Sequence, residues 1–252
     1  MARRARHLPG EHTPQAIRSR LNNPRGASPL GDFLLGGIDG VVTTFAIIAG
    51  SAGGQLAATT VIILGIANLF ADGFSMAVSN YLGTRAREQE IAESRADEEW
   101  QIEQFPEGER DEIRQIFKRK GFDDESLDEI VRVITSDRQV WVDTMMAEEL
   151  KLSETSARPL RAGIVTFVAF AICGLVPLLP FFFLYLSFEQ AFAISALLAA
   201  VAFFALGFAK GVILKVSKWR SGLQSLLVGG IAALLAYGAG HVLARIVEAA
   251  FG

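Results

Sequence analysis

Cysteine is almost missing from this chain of 252 residues: Cys173 stands alone, which excludes a disulfide framework and a thiolate metal cluster. Histidine is nearly as scarce. The three present are His7, His12 and His241, and none falls between Arg85 and Arg161. That stretch therefore builds neither a tetrahedral zinc site from imidazoles nor the Glu-x-x-His motifs of a ferritin-like di-iron centre. A Walker lysine motif, a dinucleotide glycine fingerprint and a G-x-S-x-G elbow are all absent, so the usual sequence grounds for ATP-driven, nicotinamide-dependent or serine-hydrolase chemistry are missing. With no nucleophile and base constellation in view, the chain is read as a non-enzyme without a permanently bound cofactor.

What the chain has is apolar surface. Hydrophobic side chains make up 51% of it, with 24 glycines and a mean hydropathy of +0.34, which is high for a protein that must stay dissolved. Charge is segregated. Between Arg85 and Arg161 stand 13 Lys and Arg against 21 Asp and Glu, a local net of −8, whereas the whole chain carries only −3. An acidic, water-seeking insert thus interrupts an apolar chain, and its sign argues against nucleic acid as a partner.

Residues 1–31 hold six arginines and four prolines and read as a flexible basic arm. Five apolar runs follow: Phe33 to Ala52, Leu56 to Thr84, Ala162 to Tyr185, Ala191 to Ala209 and Leu223 to Ala244. Each is long enough to cross ~30 Å of hydrocarbon at ~1.5 Å per residue. Pro177 and Pro180 are expected to bend the third run. Lys and Arg cluster before the first, third and fifth runs and after the second, which places the amino terminus and the insert in the cytoplasm. The expected fold is all-α: spans 1 and 2 over residues 32–84, a small helical cytoplasmic domain over 85–158, and spans 3 to 5 over 159–252.

The insert reads as helices. Nothing interrupts Thr84 to Gln104, so the second span is expected to run on until Pro106. Helices over about Glu107 to Lys120, Asp124 to Thr135 and Asp137 to Leu150 follow, punctuated by Gly121 and by the caps Asp123 and Asp137.

Two constellations sit where they are costly or chemically suggestive. Asp39 lies inside the first span, and a carboxylate at the centre of hydrocarbon costs at least ~2.5 to 3.5 kcal/mol. In the second span Asn68, Asp72, Met76 and Asn80 recur every four residues and share one helix face. Interhelical hydrogen bonding explains such a stripe, and so does a cation or proton path. Gly36 and Gly40 would let another helix approach closely, for packing or for dimerisation. In the insert, Glu109 and Glu112 are three apart, Met145 and Met146 precede Glu149 by one turn, and Glu98, Glu99 and Glu103 lie on the long helix. A glutamate-rich helix is commonly just a solvated face, but carboxylates with thioethers also suit exchangeable binding of a borderline divalent metal.

The segment Asp39-Gly40-Val41-Val42-Thr43-Thr44-Phe45-Ala46, then Ala71-Asp72-Gly73-Phe74-Ser75-Met76 with Tyr81-Leu82, then an acidic insert ending in Trp141, Met145-Met146 and Glu149, resembles the vacuolar iron transporter family. The resemblance runs from about Leu30 to the end. It implies a five-span homodimer that moves ferrous iron, and often manganese, out of the cytoplasm in exchange for protons. It also implies that Asp39 and Met76 line the route between subunits, and that Glu98, Glu109, Glu112, Met145, Met146 and Glu149 gather the metal. The chain departs from the family at Asn68, where plant members carry glutamate, and at Gln101; Asp72 and Glu103 are the expected substitutes. The expectation is a proton-coupled exporter of divalent iron or manganese in a bacterial inner membrane or, alternatively, a vacuolar one, with membrane lipid, protons and metal ions as its partners. Its rival is a membrane-anchored metal buffer or sensor that conducts nothing.

Overall fold

The computed structural model describes residues 13–22, 29–152, 158–183 and 185–251, and the described residues are helical or in short connections. Most of residues 1–31 lies outside them. Within that arm, Pro14–Asn22 forms helix α1. Its start explains it: Thr13 Oγ1 accepts the Ala16 amide at 3.3 Å, and Pro14 supplies a preset φ at the first helical position.

Among the described residues eight longer helices follow: α2 (Pro29–Gly53), α3 (Ala58–Gln104), α4 (Pro106–Arg119), α5 (Asp124–Thr135), α6 (Arg138–Glu148), α7 (Pro159–Leu178), α8 (Phe188–Ile213) and α9 (Lys218–Phe251). Among the described residues five helices are long and apolar enough to cross a membrane: α2, α3, α7 with the turn after it, α8 and α9. The chain divides into two compact units, Met1–Leu82 with Arg158–Gly252, and Gly83–Ala157. Helix α3 contributes to both, because no proline or paired glycine breaks it before Pro106. Proline shapes the third span as well. Pro177 is tolerated near the end of α7, and the chain tightens into a 3-10 turn over Leu179–Phe182 rather than continuing as one bent helix.

In the first unit α2 is the central helix, packed against α7, α8 and α9. Val41, Ile48 and Phe170 are fully or almost fully buried around it. Glycine sets the closeness. A Cβ on Gly36 would collide with the Thr166 carbonyl, and one on Gly40 with the Phe170 carbonyl, so the Gly36/Gly40 pair is spent on α7 of the same protomer. Helix α3 joins through Gly163, whose Cβ position lies 2.9 Å from the Ala77 carbonyl. Substituting Gly40 by Ala is expected to cost roughly 1–3 kcal/mol through overpacking and to lower the thermal midpoint in detergent. Gly230→Ala, with nothing within 4 Å, serves as the neutral control.

The second unit buries one apolar cluster in which Ile113, Trp141, Val142 and Met145 are almost wholly enclosed. Its helices begin where acidic caps dictate. Asp123 accepts the Ser126 amide at 2.9 Å, and Asp137 accepts those of Gln139 and Val140 at 2.8 and 3.2 Å. Gly121, at φ +96°, ends α4 in the left-handed region. Ion pairs brace the rim: Arg95 with Asp143 and Arg114 with Asp128, both at 2.5 Å.

Candidate metal sites in the spans and in the acidic unit

Helices α2 and α3 run antiparallel and carry a ladder of polar pairs. At one end, Asn80 Nδ2 donates to Asp32 Oδ1 at 2.9 Å and to Thr166 Oγ1 at 2.7 Å, tying α3 to α2 and α7. Deeper, Asp39 is half-buried on α2 and Asp72 is exposed on α3. Deeper still, Asn68 Nδ2 donates to Thr43 Oγ1 at 3.3 Å, and Thr43 donates in turn to the Asp39 carbonyl at 2.9 Å. From Asp32 to Thr43 the rise is about 16 Å, roughly half of a hydrocarbon core.

The four-residue stripe therefore splits by environment. Asn68, Met76 and Asn80 are half-buried, as is Asp39, and Met76 packs against the apolar core. Asp72 is exposed on the protomer, between Phe70 and Phe74 at 66% and 65% exposure. The well-formed crevice between α3 and α7, about 370 Å³, is lined by Phe74, Ala77, Tyr81 and other apolar neighbours and holds none of the stripe residues. Sequence reading passed over Asp32, Thr43 and Thr166. Asp32 looks like a first-turn helix acid, and its partner lies 48 positions away.

In the second unit α3, α4 and α6 carry the carboxylates and thioethers, four of which are buried. Glu98 and Glu109 are only 2% and 4% exposed, Met145 and Met146 0% and 3%. Helical spacing accounts for this: Glu98 lies one turn before buried Ile102, Glu109 one turn before buried Ile113, and Met145 one turn after buried Trp141. Glu112 is half-buried on the same helix as Glu109, and Glu149 caps the end of α6 at the rim, open to water on one side.

The electrostatics are those of crowded acids. Burial, and then the charges of Glu109, Glu149 and Glu112, push the Glu98 carboxyl up to about 8. Glu109 is raised first by burial and then by Glu112, although the hydrogen bond from Glu98 pulls it the other way. Glu149 is raised by partial desolvation and by the Glu112 and Glu109 charges. With both acids ionised, Glu98 Oε1 and Glu109 Oε2 would be buried acceptors lacking any donor. A proton shared by the pair supplies one, and a divalent cation would do the same with more charge. The Trp141 indole N–H is buried in the same cluster without a partner, under the Arg110 guanidinium at 5.6 Å.

Among the described residues no three His, Cys, Asp or Glu groups already encircle a metal position. Glu109 is the nearest acting charge on Glu98, and Glu112 that on Glu149. Closing on a cation takes rotamer changes in flexible side chains. Glu103 stands apart, because it turns outward to pair with Arg138 at 2.5 Å with about half of its side chain exposed. It therefore does not join the acids as a substitute for Gln101, which is also exposed.

The VIT family profile matches residues 30–241. A vacuolar iron transporter of Toxoplasma gondii is 33% identical over 225 residues, covering 86% of this chain and 74% of that protein. One of Plasmodium falciparum is 32% identical over 219 residues, with 83% and 80% covered. Vacuolar iron transporter 1 of Eucalyptus grandis is 30% identical over 208 residues, with 82% and 83% covered. Five helices long and apolar enough to cross a membrane, a profile match across most of the chain and relatives 30–33% identical over more than four fifths of it agree: this protein belongs to the vacuolar iron transporter family.

Proposed function

We propose that the protein moves divalent iron, and manganese with it, across a membrane out of the cytoplasm in exchange for protons. The observation that carries this reading is the buried pair Glu98 and Glu109. Burial and mutual repulsion push both carboxyls up, Glu98 to about 8, and a pair of acids so strained is poised to trade a proton for a cation. Met145 and Met146, buried on α6 of the same unit, are the candidate soft ligands, which favours iron over calcium or magnesium. Family membership supplies the cargo class, since the relatives are named iron transporters.

In the spans, Asp39 and Asp72 provide the charge that a dication needs in hydrocarbon, with Asn68, Met76 and Asn80 as polar or soft neighbours. An exposed Asp72 at membrane depth calls for a polar cover, because a lipid-facing carboxylate costs ~2.5 to 3.5 kcal/mol. A second copy apposing its own α3 would supply that cover and turn two half-paths into one conduit, so the working unit is a homodimer. The acidic unit faces the cytoplasm, as the basic residues flanking the spans require.

Uptake of Fe²⁺, Mn²⁺, Zn²⁺ and Ca²⁺ into proteoliposomes under an imposed pH gradient tests the proposal. The expected result is gradient-dependent entry of iron and manganese, slower zinc and no calcium. Metal bound but none transported is the result expected of a buffer or sensor. Met145→Leu with Met146→Leu keeps the apolar volume, so it is expected to leave folding intact while lowering iron affinity about tenfold relative to magnesium, read by competition titration.

A further inference from the structure

We propose that the turn joining α8 to α9 is a binding site for anionic phospholipid. In this site Lys210, Lys215, Lys218 and Arg220 hold headgroup phosphate while Trp219 and its aliphatic neighbours enter the leaflet.

The turn is built by close backbone approach. A Cβ on Gly211 would stand 2.5 Å from Lys218 Cα, and one on Gly207 would stand 2.6 Å from the Ser221 carbonyl, so glycine alone lets the two helices meet here. Lys215 takes φ 53°, and the Leu214 and Val216 amides donate to the carbonyls of Lys210 and Gly211 at 3.0 Å, which closes the reversal. That closure brings three rings together. Trp219 meets Phe208 edge-on at 5.5 Å and Phe204 at 5.8 Å, and Lys218 Nζ lies 5.2 Å over the Phe208 ring. The outer part of the platform is bare: Trp219 is 64% exposed, and Val212, Leu214 and Val216 are each 55–58% exposed.

Charge says what covers it. No Asp or Glu occurs between Glu189 and Glu248, and none of the four cations forms an ion pair with a described residue. Four cations with exposed aliphatic side chains and an indole, directly at the end of two spans, match a phosphate layer above acyl chains. Span alternation puts the turn on the membrane side from which α2 and α7 also start. A soluble anion would account for the cations, but it gives no reason for the apolar side chains between them.

Native mass spectrometry of the full chain, released from bilayers of equal phosphatidylglycerol and phosphatidylcholine, tests the proposal. The expected result is retained phosphatidylglycerol in at least tenfold excess, with Lys215→Gln plus Lys218→Gln reducing that excess on the order of twentyfold and the double arginine variant keeping it. Inorganic phosphate at millimolar concentration should leave the excess unchanged. Equal retention of both lipids, an unaffected double glutamine variant, or displacement by phosphate would each overturn the proposal. If the glutamine variant fails to fold, quenching of tryptophan emission by brominated lipids in the unaltered protein decides. Stronger quenching by brominated phosphatidylglycerol than by brominated phosphatidylcholine, lost in Trp219→Phe, supports it, and equal quenching overturns it.

Discussion

Asp39→Asn is expected to lower metal flux at least about a hundredfold while leaving the helices in place. Asparagine keeps the volume and the hydrogen-bonding capacity of the side chain and removes only the charge. A unit-charge pair at 4 Å contributes about 4 kcal/mol at the effective dielectric of ~20 suited to proteins, and a dication gains more, so even a heavily discounted loss exceeds two decades in rate. The fold should tolerate the change, because the structure uses the Asp39 carbonyl, not its carboxylate, to accept from Thr43. Asp72→Asn is expected to weaken flux less, since Asp72 stands exposed on its protomer. Vesicle flux at matched protein density, together with thermal midpoints, separates lost conduction from lost folding. Full flux in Asp39→Asn would remove Asp39 from the path.

Glu98→Gln is expected to abolish tight metal binding and, at the same time, to stabilise the metal-free protein at pH 8. The sign follows from proton linkage. An unfolded glutamate loses its proton near 4.5, whereas folded Glu98 keeps it until about 8. Between those values the native state holds more protons than the unfolded state, so stability falls as pH rises through that window and is highest below it. Glutamine cannot ionise and escapes the penalty. Chemical denaturation without metal should therefore show the variant and the parent converging at pH 4 and the variant ahead, by a few kcal/mol, at pH 8. Metal affinity of the parent should rise with pH up to about 8 as bound cation displaces the Glu98 proton, and isothermal titration in two buffers of different ionisation enthalpy would count the protons released. Equal stability at both pH values would mean that Glu98 is not a strained acid.

The plan of the fold was legible because its causes are local. Five runs of apolar residues define five helices long and apolar enough to cross a membrane, and an uninterrupted stretch to Pro106 defines one continuous α3. Caps at Asp123 and Asp137 fix where α5 and α6 begin. The burial of Glu98, Glu109, Met145 and Met146 follows from helix spacing, each standing one turn or less from a buried apolar neighbour. What could not be read depends on partners far along the chain. Glu103 reads as one more acid on the long helix until Arg138 claims it. The Gly36/Gly40 pair fits packing or dimerisation equally well in sequence, and only the Thr166 and Phe170 carbonyls show which of these uses it. Asn80 reads as one member of a stripe, although its amide is engaged by Asp32 and Thr166 from two other helices. The α8–α9 aromatic platform depends on how closely Gly207 and Gly211 let the helices approach.

The most direct measurement records ferrous iron and proton movement together in one population of sealed vesicles carrying the oriented protein. The account predicts iron entering while protons leave, both ceasing in Asp39→Asn and both accelerating when the vesicle interior starts more acidic. Iron held by the protein with neither ion crossing, or iron crossing at a rate indifferent to the pH difference, would contradict it.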